Sequence, residues 1–388
     1  MHVDYTDSQR ALRGELREYF GALIKPEFKE TLRNAEGGDL YKSLIRQMGE
    51  DGMLALGWPK EYGGKGLTKL EQLMFFEEAL LAGAPVPFVT LNTVGPAIMD
   101  HGTEEQKARF LPDIAAGKLH FSIGYSEPNA GTDLASLQTA AVRDGDHYVI
   151  NGSKVYTSAA EAADFVFLAC RTDQDAPKHK GISILCVDTK DPGFSFGPLH
   201  TVGSVRTNVS YYTDVRVPAN MIIGEENQGW RLVTSQLNHE RVGLAAWGIH
   251  GWKLFARTLQ WAREEHNGQR AIDDPSTQRS LAEVYAYLEA MRVMNARMSW
   301  QLDQAEIGPV FPSAIKVFST EILIEICRLL MDIVGPNALI AAPDEGSVMI
   351  GDLEHEYRRA LINTFGGGVV EVLRGLVATF GLGMPQHR

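Results

Sequence analysis

The sequence predicts an α+β fold in which a module of strands lies between two helical modules. Helical periodicity runs through the first part of the chain and returns near residue 226, while the stretch between carries short alternating runs broken by turn signals. The length of 388 residues is enough for two or three domains, each with its own core. The expected boundaries are an N-terminal α-helical domain over 1–118, a middle β domain over 119–225 and a C-terminal helical bundle over 226–388.

Each element has a local reason. "MHVDYTDSQRALRGELREYF" reads as an amphipathic helix; its charges leave no room for the apolar centre of a signal peptide. In "GTEEQKARFLPDIAAGK", Thr103 is followed three residues later by Gln106, the pattern of a capping box, and Gly117 is placed to end the helix. "TAAVRDGDHYVINGSKVYT" predicts a hairpin at Asp144-Gly145 and a further turn at Asn151-Gly152. "DFVFLACRT", "GISILCVDT" and "VSYYTDVRVP" continue the alternation, for seven or eight strands in all.

Composition excludes several classes of function. Hydrophobic residues make up 44% and charged residues 22%, ordinary for a soluble globular chain. A formal charge of -12 opposes any broad surface for nucleic acid or anionic lipid. Cys170, Cys186 and Cys327 show no paired spacing, so they are expected in the core of a cytoplasmic protein. No run approaches the ~18 apolar residues of a membrane span. No H-E-x-x-H metal motif or Rossmann fingerprint occurs.

The most specific stretch is "YSEPNAGTDLASL", Tyr125 to Leu137. Its bend, rich in Gly, Pro and Asn, with hydroxyls at Ser126 and Thr132, offers donors to a planar polar ligand such as a flavin ring or a pyrophosphate. Around it stand "PKEYGGKGL", "GTEEQKARFLP", "NGSKVYTSAA" and "VRVPANMIIGEENQGW". In this order and spacing the set resembles the acyl-CoA dehydrogenase family over essentially the whole chain. The resemblance implies an N-terminal helical domain, a middle β-barrel-like domain and a C-terminal four-helix bundle. It further implies FAD held between subunits, α,β-dehydrogenation of an acyl-CoA thioester, and electron-transfer flavoprotein as the acceptor. By motif, Ile123, Tyr125 and Ser126 match the first flavin-contacting strand, and Gly131 and Thr132 the turn after it. In the second flavin strand Tyr156 replaces the family tryptophan and Ser158 the family threonine, each keeping the chemistry of its position, a stacking ring and a hydroxyl donor.

Desaturation needs a base for the proton beside the thioester carbonyl. Many family members carry it as a glutamate before the last helix, where this chain reads "NTFGGGVVEVLR" and places Gly367. The alternative family position, on a long helix of the bundle, falls in "QLNHERVGL". There Glu240 shares a helical stripe with Val233, Leu237, Leu244, Gly248 and Gly251, so a carboxylate sits on an apolar face where desolvation raises its pKa toward that of a general base. The resemblance therefore assigns the base to Glu240, and Arg241 to the mouth of the acyl-CoA site. The small residues Gly243, Ala245, Ala246 and Gly248 are expected to leave room beside the base. A base on this helix, together with the C-terminal "FGLGMP", resembles members that act on bulky or branched acyl groups, among them steroid side chains.

Two elements that homotetrameric members donate to a neighbour's FAD are altered. Glu264 and Asn267 stand at the Arg and Phe of an R-x-x-F-G motif, and "DIVGPNA" replaces a Q-I-F-G-G-x-G loop, with Asp332, Pro336 and Ala338 at key positions. A carboxylate facing a pyrophosphate is repulsive. The resolution is a homologous partner chain in an α2β2 assembly. Two other readings of the same scaffold stay open, an acyl-CoA oxidase and a catalytically silent partner subunit.

Overall fold

The computed structural model describes residues 4–28, 31–32, 37–234, 236, 248–304, 308–342 and 349–385. The first helical group consists of α1 (Asp7–Leu23), α2 (Asp39–Glu50), α3 (Lys69–Ala82), α4 (Gly95–His101) and α5 (Glu104–Ala115). Capping boxes start α1, α3 and α5, at Thr6 with Gln9, Thr68 with Glu71 and Thr103 with Gln106. The Thr103 box and the left-handed Gly117 beyond the end of α5 match the sequence expectation. Gln106 does more than cap: its amide also donates to the carbonyls of Asn220 (2.7 Å) and Ile222 (2.6 Å), tying α5 to the end of the strand module.

Helix α3 is buried almost all round, through Leu73, Met74, Phe75 and Phe76 and also Glu77 and Glu78. The acidic pair is tolerated because α1 supplies Arg13 to both carboxylates and Arg17 to Glu78.

The middle module is one eight-stranded mixed sheet. Its strands are β1 (Phe121–Gly124), β2 (Ala140–Asp144), β3 (His147–Val155), β4 (Phe165–Arg171), β5 (Ile182–Asp188), β6 (Phe194–His200), β7 (Arg206–Pro218) and β8 (Ile222–Ile223). The path runs β6-β7-β3-β2-β4-β5-β8, and β1 lies parallel to the first half of β4. The hairpin at Asp144-Gly145 forms as expected, with Gly145 left-handed.

Asn151-Gly152 does not form a turn. β3 continues through it, opposite an irregularity in β7 where Ile150 pairs with Val215 and Gly152 with Tyr212. The extra residue on β7 includes a left-handed Asp214, which Asn151 clamps by two hydrogen bonds of 3.0 Å. Gly152 is required for another reason, since a Cβ there would lie 2.6 Å from Thr139 Oγ1. The dipeptide that reads as a hairpin signal thus serves a bulge and a close strand approach.

The C-terminal group comprises α6 (Gly248–Arg263), α7 (Pro275–Gln304), α8 (Val310–Val334), α9 (Asp352–Ala360) and α10 (Val370–Leu376). Leu254, Leu281, Val284, Leu288, Ile326, Cys327 and Leu330 form its core. Gly248 and Gly251 bring α6 close to its neighbours, because Cβ atoms there would come 2.8 Å from Met291 Cε and from Leu288 Cδ2. At Gly248, therefore, the Met291 methyl takes the space that a side chain would need. Buried in the same group, His250 Nδ1 lies 3.7 Å from Glu356 Oε1, and burial lowers the His250 pKa to about 4 against the opposing pull of Glu356. All three cysteines are buried thiols, as expected, and burial raises Cys170 to about 12. Among the described residues no helix is long and apolar enough to cross a membrane.

Candidate active site

The two segments that the motifs assign to flavin contact lie side by side. Val155 N–H donates to the Ser126 carbonyl at 2.8 Å, and the Lys154 ammonium donates to the Tyr125 carbonyl at 2.9 Å. The end of β1, with Ile123 and then Tyr125 and Ser126, therefore runs against the end of β3, where Tyr156 and Ser158 follow. Beyond Ser126 the chain makes a tight turn closed by reciprocal backbone bonds between Glu127 and Ala130. Gly131 and Thr132 follow it and are exposed, and a Cβ on Gly131 would meet nothing within 4 Å.

Tyr156 is strained and open. Its φ of 61° is left-handed, which costs an ordinary residue roughly 1–3 kcal/mol. The residues on either side hold it there. Val155 is fixed by Ser126; Thr157 is fully buried, exchanges backbone and side-chain bonds with Asn208, and meets Ser210 Oγ at 2.9 Å. The ring itself is 63% exposed. Ser158 is also exposed, its hydroxyl 3.1 Å from that of Thr207. An open aromatic face, two accessible hydroxyls and a bare glycine form a donor set that suits a planar, polar, phosphate-bearing cofactor.

Sequence reasoning missed what supports this edge from below. Lys154 is fully buried and forms a 2.8 Å ion pair with Glu127. Glu127 also accepts from the backbone N–H groups of Gln138 (2.7 Å) and Thr139 (2.8 Å). Burial alone would raise the Glu127 pKa; the Lys154 charge and these donors outweigh it and hold the carboxyl below its usual range. Burial pulls Lys154 below the ordinary lysine range, opposed by Glu127. The pair stitches β3, the end of β1 and the following loop together. Its signal was in the sequence: a lysine on the inward side of β3, in register with Tyr148 and Ile150.

The glycine triplet has a backbone explanation. Gly367 and Gly368 adopt φ of 67° and 109°, conformations that side-chain-bearing residues avoid. A glutamate at Gly367 would be strained in this loop. The Gly366 carbonyl accepts from Lys316 of α8, a lysine only 5% exposed. These two residues border a cavity of about 20 Å³, room for one water, together with Gly248, Met291, Ser319 and Asn363. The expected base Glu240 and its neighbour Arg241 lie outside the described residues. On the same stretch of sequence, Gln236 is described: it is buried, and its side-chain oxygen accepts from the Tyr125 hydroxyl.

The altered donor elements lie at the surface of the C-terminal group. Glu264 and Asn267 are exposed on the turn after α6, with Asn267 and Gly268 both left-handed. Asp332 is exposed near the end of α8 and is bound by Arg328 at 2.9 Å. Pro336 is exposed, while Ala338 is buried.

Comparison with known proteins agrees with this architecture throughout. Family models described as the N-terminal, middle and C-terminal domains of acyl-CoA dehydrogenase match residues 6–118, 122–215 and 227–382. The chain belongs to the acyl-CoA dehydrogenase family, whose members are flavin-dependent enzymes. It is 49% identical over 403 residues to acyl-CoA dehydrogenase FadE26 of Mycobacterium tuberculosis, covering 100% of this chain and 99% of that one. It is 47% identical over 390 residues to FadE29 of the same organism, with the same coverage. Among solved structures it resembles a chain of the Tcur3481-Tcur3483 steroid ACAD, with a TM-score of 0.95 and 48% identity over the whole of both chains. It also resembles a chain of the ChsE4-ChsE5 complex from Mycobacterium tuberculosis, with a TM-score of 0.93 and 49% identity, again over both whole chains.

Proposed function

We propose that this acyl-CoA dehydrogenase uses FAD to desaturate a bulky or branched acyl-CoA, such as a steroid side-chain thioester, in an α2β2 assembly with a homologous partner. The observation that carries the reading is the edge where Tyr125 and Ser126 meet the strand end bearing Tyr156 and Ser158, with Tyr156 exposed in a strained conformation. The full-length likeness to a steroid ACAD and to the ChsE4-ChsE5 complex supports the substrate class and the two-chain assembly.

FAD would be held by Ile123, Tyr125, Ser126, Gly131, Thr132, Tyr156 and Ser158, and when bound it supplies the acceptor for the hydride leaving the β-carbon. Tyr156 offers its ring face for stacking, while Thr132 and Ser158 offer hydroxyl donors. Glu240 takes the α-proton, since Gly367 leaves no carboxylate in the glycine loop. Arg241 suits the anionic acyl-CoA at the mouth of the site. Electron-transfer flavoprotein in the cytoplasm would be the electron acceptor.

The test is Glu240→Gln in the assembled, flavin-loaded enzyme. Turnover should fall about 10²–10⁴-fold with flavin content unchanged, because the amide keeps the shape but cannot accept the proton. Retention of more than about a tenth of wild-type turnover removes Glu240 from the role. Comparing kcat/KM for a steroid side-chain thioester with butyryl-, octanoyl- and palmitoyl-CoA tests the substrate class. A straight-chain preference contradicts it.

A further inference from the structure

Gln236 is 3% exposed, and its amide is only half used. The Tyr125 hydroxyl donates to its Oε1, while its Nε2 has no hydrogen-bond partner among the described residues. Whichever way the amide is turned, the phenol engages one polar atom and leaves the other. Protein interiors seldom strand a buried donor, so a group of this kind asks for an explanation. The surroundings supply one. Tyr125 belongs to the edge that presents Ser126 and Tyr156, and Gln236 precedes Glu240 by four residues in the sequence. One hydrogen bond thus joins the cofactor-receiving edge to the segment that carries the base.

The geometry points to Gln236 as a ligand-contacting donor, its amide N–H held ready for a carbonyl oxygen of a molecule bound beside Tyr125, with the Tyr125 hydroxyl fixing its orientation. An uncharged N–H suits an uncharged acceptor oxygen, and a purely hydrocarbon group placed there would leave the donor stranded. Two molecules expected at this place carry such an oxygen, the flavin ring and the thioester arm of an acyl-CoA. The inference rests on the dehydrogenase reading above.

The experiment uses the assembly with the partner chain and compares wild type with Gln236→Met, similar in volume but without the donor, and with Tyr125→Phe. FAD affinity is measured by fluorescence titration, and affinity for a β-thia acyl-CoA, which binds without turnover, by its long-wavelength absorbance. Gln236→Met should weaken one of the two affinities about tenfold, the size of one lost hydrogen bond, and leave the other unchanged at unaltered assembly mass. The arm that responds identifies the source of the oxygen. Tyr125→Phe should weaken the same arm by a smaller factor. Unchanged affinities in folded Gln236→Met overturn the proposal, and this is also the result an internal water holding Nε2 would give. Losses in both arms together with a lower Tm overturn it too, because they mark a packing role. Wild type binding neither FAD nor the β-thia acyl-CoA would instead contradict the dehydrogenase reading itself.

Discussion

The receiving edge of the middle sheet and the donating end of the C-terminal group are built to different standards. In the sheet, each backbone segment behind the site is bonded to another, and a buried ion pair locks Glu127 to Lys154, while Tyr156, Thr132 and Ser158 are left open. At the end of the bundle, Glu264, Asn267 and Pro336 are exposed, Asp332 is engaged by Arg328, and Ala338 is buried. On the proposed reading, order at one surface and the wrong charge at the other mean that the chain keeps the half of a shared site that receives a cofactor and lacks the half that gives, so that a second polypeptide would take part in the chemistry.

The comparison breaks most directly at Lys154. Lys154→Met leaves the Glu127 carboxylate buried without its cation, which should cost about 3–5 kcal/mol. Flavin should be lost even with the partner chain present. The Lys154→Met, Glu127→Gln double variant should recover part of that stability, because the stranded charge is gone. Thermal unfolding and flavin absorbance of wild type, Lys154→Met, Glu127→Gln and the double variant give the coupling. A fully additive result would mean that the pair does not hold the edge.

Much of this arrangement was legible in the sequence, and the reasons are physical. Capping boxes are local, so Thr103 and Gln106 are legible directly, as are the motif segments around Ser126 and Tyr156 taken one at a time. The adjacency itself depends on pairing between distant strands, which no local pattern encodes. Asn151-Gly152 misled for the same reason: the signal for a turn is local, whereas the bulge and the Thr139 contact that override it are supplied by β7 and β2. Gln236 and Lys316 are not legible, because a lone polar residue in an apolar run carries no period. Gly367 stands where many members carry a glutamate, and the positive φ values of Gly367 and Gly368 supply a backbone reason for glycine there.

A smaller effect separates the two regions by pH. His250 in the bundle has a folded pKa of about 4, against roughly 6.5 for the free side chain. The unfolded chain therefore binds the proton first. Stability from this residue is complete above about pH 6.5 and is lost as pH falls toward 4, by at most on the order of 3 kcal/mol. His250→Gln should flatten the stability profile across that window in chemical denaturation. An unchanged slope would show that the histidine does not titrate as a buried neutral group.

The central claim is that this chain receives a flavin but cannot complete its neighbour's. It is tested most directly by the ratio of flavin to protein in the purified assembly, measured with its mass by light scattering. Expressed alone, the chain should be poorly soluble or flavin-depleted. With a homologous partner that carries intact donor elements it should form α2β2 and hold two flavins instead of four. A tetramer of this chain alone, with one tightly bound FAD in every subunit, would contradict the account.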